Sequence, residues 1–154
     1  MQFVRQAGIL ALAVLFLNTG PTEALPPTAQ SAKTWTDKSP RESHLIEIKG
    51  IRVNYLDWGG QGEPLLVLAG IGNKAHCFDD IALRLTNHFH VLAMTRRGFG
   101  LSDKPESGYD VASRMLDVLA LLDALRIKRV ILAGHSIAWD ELTALAAAHP
   151  DRVK

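Results

Sequence analysis

A single cysteine in 154 residues, Cys77, excludes an internal disulfide and any cysteine-built metal cluster. Cys77 itself reads as a small buried apolar residue. Neither charge is in excess, with 17 Lys and Arg against 16 Asp and Glu spread along the chain, so nothing points to a nucleic-acid partner. Among the six histidines the one suggestive spacing is His88-x-His90, which more often marks a polar strand edge, and no metal is expected. Long apolar runs are also missing. Ala7 to Leu17 is a run of eleven, where a membrane-spanning helix needs about 20. What remains is 47% hydrophobic, the composition of one soluble globular domain of modest size.

That short run has the form of a secretory signal. Arg5 gives the positive start, and Thr22-Glu23-Ala24 offers a small-residue cleavage site before Leu25. Residues 1–24 are therefore expected to be a signal peptide, the product secreted or periplasmic, with no membrane attachment after cleavage. Residues 25–43, rich in Pro, Ser, Thr, Gln and Lys, read as a flexible linker. The fold is expected over 44–154.

Within it, Leu45 to Ile48 and Ile51 to Leu56 alternate apolar with polar around Lys49-Gly50, which predicts an antiparallel hairpin. Leu65 to Ala69, Phe89 to Met94 and Val130 to Ala133 are continuous apolar runs, the signature of strands buried on both faces. Helical stretches are predicted between them, over about 75–86, from the N-cap Asp110 through Leu125, and after Ser136 to about Ala148. In the second, Val111, Met115, Val118, Leu119, Leu122 and Leu125 form an ordinary core stripe. The alternation implies an α/β fold: an opening antiparallel hairpin, then a mostly parallel sheet with helices on both faces. The apolar strand 130–133 asks for neighbours on both sides, yet no later strand is expected within this sequence to pair with it.

The segment that carries chemistry is Gly134-His135-Ser136-Ile137-Ala138, leaving that strand and entering a helix. A serine on so sharp a turn presents its hydroxyl above the sheet, and small residues two before and two after keep the turn free of clashes. Two further motifs follow earlier strands: Leu68-Ala69-Gly70-Ile71-Gly72 and Arg97-Gly98-Phe99-Gly100-Leu101-Ser102-Asp103. In this order and spacing, residues 44 to 154 resemble the α/β-hydrolase family, serine-nucleophile branch, amino-terminal half only.

The resemblance implies a hydrolase of an ester, amide or related acyl bond in a small molecule. Ser136 would be the nucleophile, and the backbone N–H groups of Ile71 and Ile137 would form the oxyanion hole, each donor worth about 3 kcal/mol in comparable sites. Gly70, Gly72, Gly134 and Ala138 would support loop and elbow. A serine at this position argues against the epoxide and haloalkane branches, which use aspartate there, and no cofactor is implied. Three departures stand out. Ala69-Gly70 replaces a common His-Gly, so a bond bracing the oxyanion loop is in question. Trp139 takes a place often held by glycine, either filling the substrate pocket or disturbing the elbow. The family's acid and histidine follow the serine in the order Ser, Asp or Glu, His, whereas here only His149 and the acids Asp140, Glu141 and Asp151 follow. His135 abuts the serine but points to the opposite face.

The chain is therefore expected to be truncated after the elbow helix and to turn over little or nothing alone. Three outcomes stay open: a second polypeptide completes the sheet, the product is an inactive fragment, or the pocket binds a ligand without catalysis. Gly70-Ile71-Gly72-Asn73-Lys74-Ala75, with Arg96-Arg97 after the next strand, also fits the glycine turn of an NADP-binding oxidoreductase. The preceding hairpin and the missing acid about 20 residues on weigh against that alternative.

Overall fold

The computed structural model describes residues 40–154, so the expected signal peptide and most of the expected linker lie outside the described residues. Strand β1 (Glu42–Ile48) opens two residues before His44 and pairs antiparallel with β2 (Ile51–Gly59). Lys49 and Gly50 turn the chain with φ of 48° and 77°, the left-handed pair whose twist suits a two-residue hairpin. The remaining strands are β3 (Glu63–Leu68), β4 (Phe89–Thr95) and β5 (Ile131–Gly134), and the sheet runs in the order β1-β2-β4-β3-β5. β4 lies antiparallel to β2 and parallel to β3, which is in turn parallel to β5. This is the expected hairpin followed by a parallel sheet.

Alternation along the strands supplies both layers of the core. Leu66, Leu68, Leu92 and Met94 face helices α2 (Val111–Ala124) and α3 (Ala138–Ala148), while Leu65, Val67, Val91 and Ala93 face the segment around α1 (Asp79–Leu85). Helix α2 begins where Asp110 accepts from the Ser113 N–H at 2.9 Å and the Ser113 hydroxyl at 2.7 Å. Those two bonds hold the Asp110 carboxyl below its usual range.

Three expectations are corrected. The single helix over 75–86 is a 3-10 turn (Ala75–Phe78) followed by α1, because the buried Ala75 is pinned to β4 by its N–H bond to Thr95 Oγ1 at 3.1 Å. The same turn carries Cys77 outward, so this thiol is exposed rather than buried. Third, β5 is not buried on both faces: Ile131 and Leu132 are half-buried, and Ala133 and Gly134 are exposed. The cause is its place at the sheet edge, with β3 on one side only. Among the described residues no later strand pairs with β5 on its other side, which is met by one isolated bridge at Val130, just before the strand. Val153 bridges Val130 in parallel, with N–H to O distances of 3.0 Å from Val130 to Arg152 and from Lys154 to Val130.

Candidate active site

Parallel pairing decides which loops meet. Leu68 stands opposite both Met94 and Gly134, so β4, β3 and β5 end at one level and release their loops side by side. The His135 N–H donates to Leu68 O at 3.1 Å, extending the ladder one residue past β5 before the chain turns.

At that turn Ser136 has φ of 58° and is exposed. A left-handed backbone is costly for a residue with a Cβ, and such strain persists only where the surroundings enforce it. Here the enforcement is visible. The Ala138 and Trp139 N–H groups bond back to His135 O (3.3 Å) and Ser136 O (2.9 Å), starting α3 immediately behind the serine. Gly134 is required for that close return, since a Cβ on it would lie 2.7 Å from Ala138 Cβ and from Leu142 Cδ1. Ala138 is tolerated because position 134 has no side chain. Trp139 is 70% exposed and does not line the small cavity beside Ile71 and Ile137.

The loop after β3 comes equally close. A Cβ on Gly70 would lie 2.8 Å from His135 Nδ1 and 3.3 Å from Ser136 Cβ, so the bare glycine backbone packs directly beside the serine. Ile71, next in line, and Ile137 line the same cavity of about 130 Å³. Among the described residues neither the Ile71 nor the Ile137 N–H is used in a hydrogen bond. Gly72, with φ of 78°, turns the loop away from this point.

Arg96 and Arg97, read from the sequence either as a brace for this loop or as solvent-facing, are the brace, held by buried acids that the sequence reading did not assign. Arg96, at the end of β4, donates from Nη1 to Ala69 O and from Nε to Glu141 on α3, tying the oxyanion-loop backbone to the elbow helix. A side chain thus bonds the loop at Ala69, where the loss of His-Gly had put a bracing bond in question. Arg114 on α2 donates to the second Glu141 oxygen at 2.9 Å, and Arg97 makes a bidentate pair with the buried Asp117, both contacts 2.6 Å. A signal for these pairs was present: Glu141 shares the helical spacing of Ala138, Leu142 and Leu145, and Asp117 sits beside Val118 and Leu121, so each acid lies on an apolar stripe. The motif Arg97 to Asp103 is likewise a clamp. The Ser102 hydroxyl donates to Thr95 O (2.6 Å) and accepts the Asn54 N–H (2.9 Å), and Asp103 takes the Arg52 N–H (2.8 Å) and guanidinium (2.9 Å).

No described residue hydrogen-bonds the Ser136 hydroxyl. His149 is half-buried at the far end of α3, about 16 Å of helix away. Glu141 is fully buried between two arginines, and Asp140 lies 3.8 Å from Arg114. His90 pairs with Asp57 at 2.9 Å near the opposite end of the sheet, and no group of three potential metal ligands gathers among the described residues.

The loop at Gly70 to Ala75 does not suit a dinucleotide. A 3-10 turn follows it where a pyrophosphate would need an α-helix N-terminus, and the helix beyond opens on Asp79 and Asp80.

Comparison with known proteins agrees with the geometry. The 2-(acetamidomethylene)succinate hydrolase of Mesorhizobium japonicum is 34% identical over 112 residues, covering 73% of this chain and 40% of that protein. A non-heme chloroperoxidase of Streptomyces lividans is 36% identical over 107 residues, covering 68% and 39%. The crystal structure of a membrane phospholipase A superposes with a TM-score of 0.71 at 30% identity, covering 75% of this chain and 38% of that one. The chain thus spans about two fifths of the length of these curated relatives. Residues 63–154 match the model of the alpha/beta hydrolase fold, and the chain belongs to that family.

Proposed function

We propose that this chain carries the nucleophile and oxyanion hole of a serine hydrolase acting on an ester, amide or related acyl bond of a small molecule. The observation that carries the reading is the exposed Ser136 at φ 58° beside the unused N–H groups of Ile71 and Ile137. Ser136 Oγ would attack the acyl carbon while its proton passes to a base, the carbonyl oxygen would take up negative charge against the two N–H groups, and collapse would expel the leaving group. Serine is nearly inert without that base. None of the described histidines hydrogen-bonds the Ser136 hydroxyl, so acid and base would come from a polypeptide that continues the sheet along β5. Alone, the chain is expected to be close to inactive.

A base supplied from solution tests this. With a fluorophosphonate probe, imidazole should accelerate formation of an adduct that peptide mapping assigns to Ser136 and that Ser136→Ala lacks. An adduct elsewhere, or a rate indifferent to imidazole, refutes the nucleophile. Rapid p-nitrophenyl ester hydrolysis by the chain alone, abolished in Ser136→Ala, would instead refute the incompleteness.

A further inference from the structure

Three arginines, Arg96, Arg97 and Arg114, line the cavity of about 130 Å³ beside Ile71 and Ile137, yet the surface it presents is mostly apolar. The reason is that each guanidinium is engaged elsewhere. Arg97 holds both oxygens of Asp117 at 2.6 Å, reaches Ser107 O at 3.3 Å and also feels the charge of Asp110. Arg114 donates to Glu141 at 2.9 Å and to Tyr109 O at 2.8 Å, with Asp140 3.8 Å away. Arg96 donates to Glu141 and to Ala69 O, and its Nη2 has essentially no accessible surface. The Tyr109 hydroxyl is likewise taken, by Pro105 O at 2.8 Å. What remains for an occupant is the apolar wall of Ile71, Phe99, Tyr109 and Ile137.

We propose that this cavity receives the acyl chain of the substrate, that the chain it takes is short and uncharged, and that Phe99 is part of the wall that limits its length. Size sets the first limit. A cavity somewhat smaller than one that holds benzene, about 150 Å³, accepts roughly four or five carbons. Charge sets the second. A carboxylate entering here would give up its hydration beside arginines whose acids are already in place, whereas an alkyl chain gains with every methylene removed from water. The side of the substrate follows from the order of events. The cavity is largely enclosed and is lined by Ile71 and Ile137, whose N–H groups would hold the carbonyl oxygen. A leaving group must depart before water attacks, while the acyl group stays on the serine through both steps, so the enclosed space suits the group that stays. This assignment rests on the reading of Ser136 as nucleophile. Phe99 has no polar side-chain atom, so it can change size without removing a hydrogen bond from the loops.

The test is a titration of the isotopically labelled Ser136→Ala chain with small amides, followed by the amide resonances of Ile71 and Ile137. From acetamide to pentanamide the affinity is expected to rise about tenfold or more, each buried methylene contributing a factor of about three to four. Octanamide should bind no more tightly than pentanamide. Pentanamide should exceed by about tenfold both its isomer N-propylacetamide, which carries the chain on the leaving-group side, and succinamate, which ends in a carboxylate. Phe99→Ala should lift the length limit, so that octanamide overtakes pentanamide severalfold, and Phe99→Leu, a milder change, should give a smaller shift in the same direction. No rise from acetamide to pentanamide, or succinamate binding as tightly as pentanamide, overturns the subsite. Equal or reversed affinities of the two isomers overturn its assignment to the acyl side, and an unchanged length limit in both variants overturns the role of Phe99. A Ser136 fluorophosphonate adduct without chain-length preference removes the subsite and keeps the nucleophile; chain-length preference without an adduct does the reverse.

Discussion

The two outer strands of the sheet are built differently. β1 presents Glu42, Ser43 and Glu47 to solvent, with Leu45 the one exposed apolar side chain among them, a mostly polar border of the kind that protects an exposed edge. β5 reads Ile-Leu-Ala-Gly, as apolar as the buried stretches Leu65 to Leu68 of β3 and Val91 to Met94 of β4, yet its last two residues are exposed and, among the described residues, its far side is met only at Val130, just before the strand. Composition records the neighbours a strand is suited to, and burial records the neighbours it has. At β1 the two largely agree; at β5 they do not, and the turn that carries Ser136 leaves from the strand where they disagree.

The sharpest way to test that contrast uses two leucines that face each other across the parallel pair, Leu66 on β3 and Leu132 on β5. Leu66 is fully buried and Leu132 only partly. Leu66→Ala should lower unfolding free energy by about 4 kcal/mol and Leu132→Ala by about 1 to 2 kcal/mol, read from urea midpoints at constant slope. Equal losses would mean that β5 is as well covered as β3.

A smaller effect is expected from a charge placed on each border. If the apolar edge is adhesive, the chain self-associates at high concentration, and Ala133→Lys should weaken that association about tenfold in sedimentation while Leu45→Lys leaves it unchanged. A reversed result would make β1 the open edge.

The hairpin side also carries its own acid sensitivity. The Asp103 carboxyl is held below its usual range by its hydrogen bonds from the Arg52 side chain and backbone N–H. A depressed carboxylate stabilises the fold above the unfolded-state value near 3.8 and loses that contribution as pH falls through its folded-state value. Hydrogen-exchange protection of the Arg52 amide, measured relative to Leu132, should therefore fall below about pH 4. Asp103→Asn should remove the pH dependence of that ratio.

Much of this architecture was legible in the sequence because it is written locally. Lys49-Gly50 between two alternating runs, Asp110 ahead of a helical stripe, and Gly134 and Ala138 around Ser136 each carry their own short-range geometry. The partners of the bracing arginines were not, because they lie at distant positions: Arg96 meets Glu141 across 45 residues, and Arg97 meets Asp117 across 20. An acid on an apolar helical stripe announces that a partner exists without saying where it is. The break at Ala75–Phe78 was hidden for the same reason, since Thr95, 20 residues away, fixes its first N–H.

The elbow itself is open to one direct measurement, the relative stability of Ser136→Gly and Ser136→Ala. In ordinary helical or extended backbone alanine is the more stable by roughly 0.5–1 kcal/mol. At a left-handed φ of 58° the order should invert, with Ser136→Gly more stable by about 1 kcal/mol. Ser136→Ala as the more stable variant would contradict the strained turn on which the proposed chemistry depends.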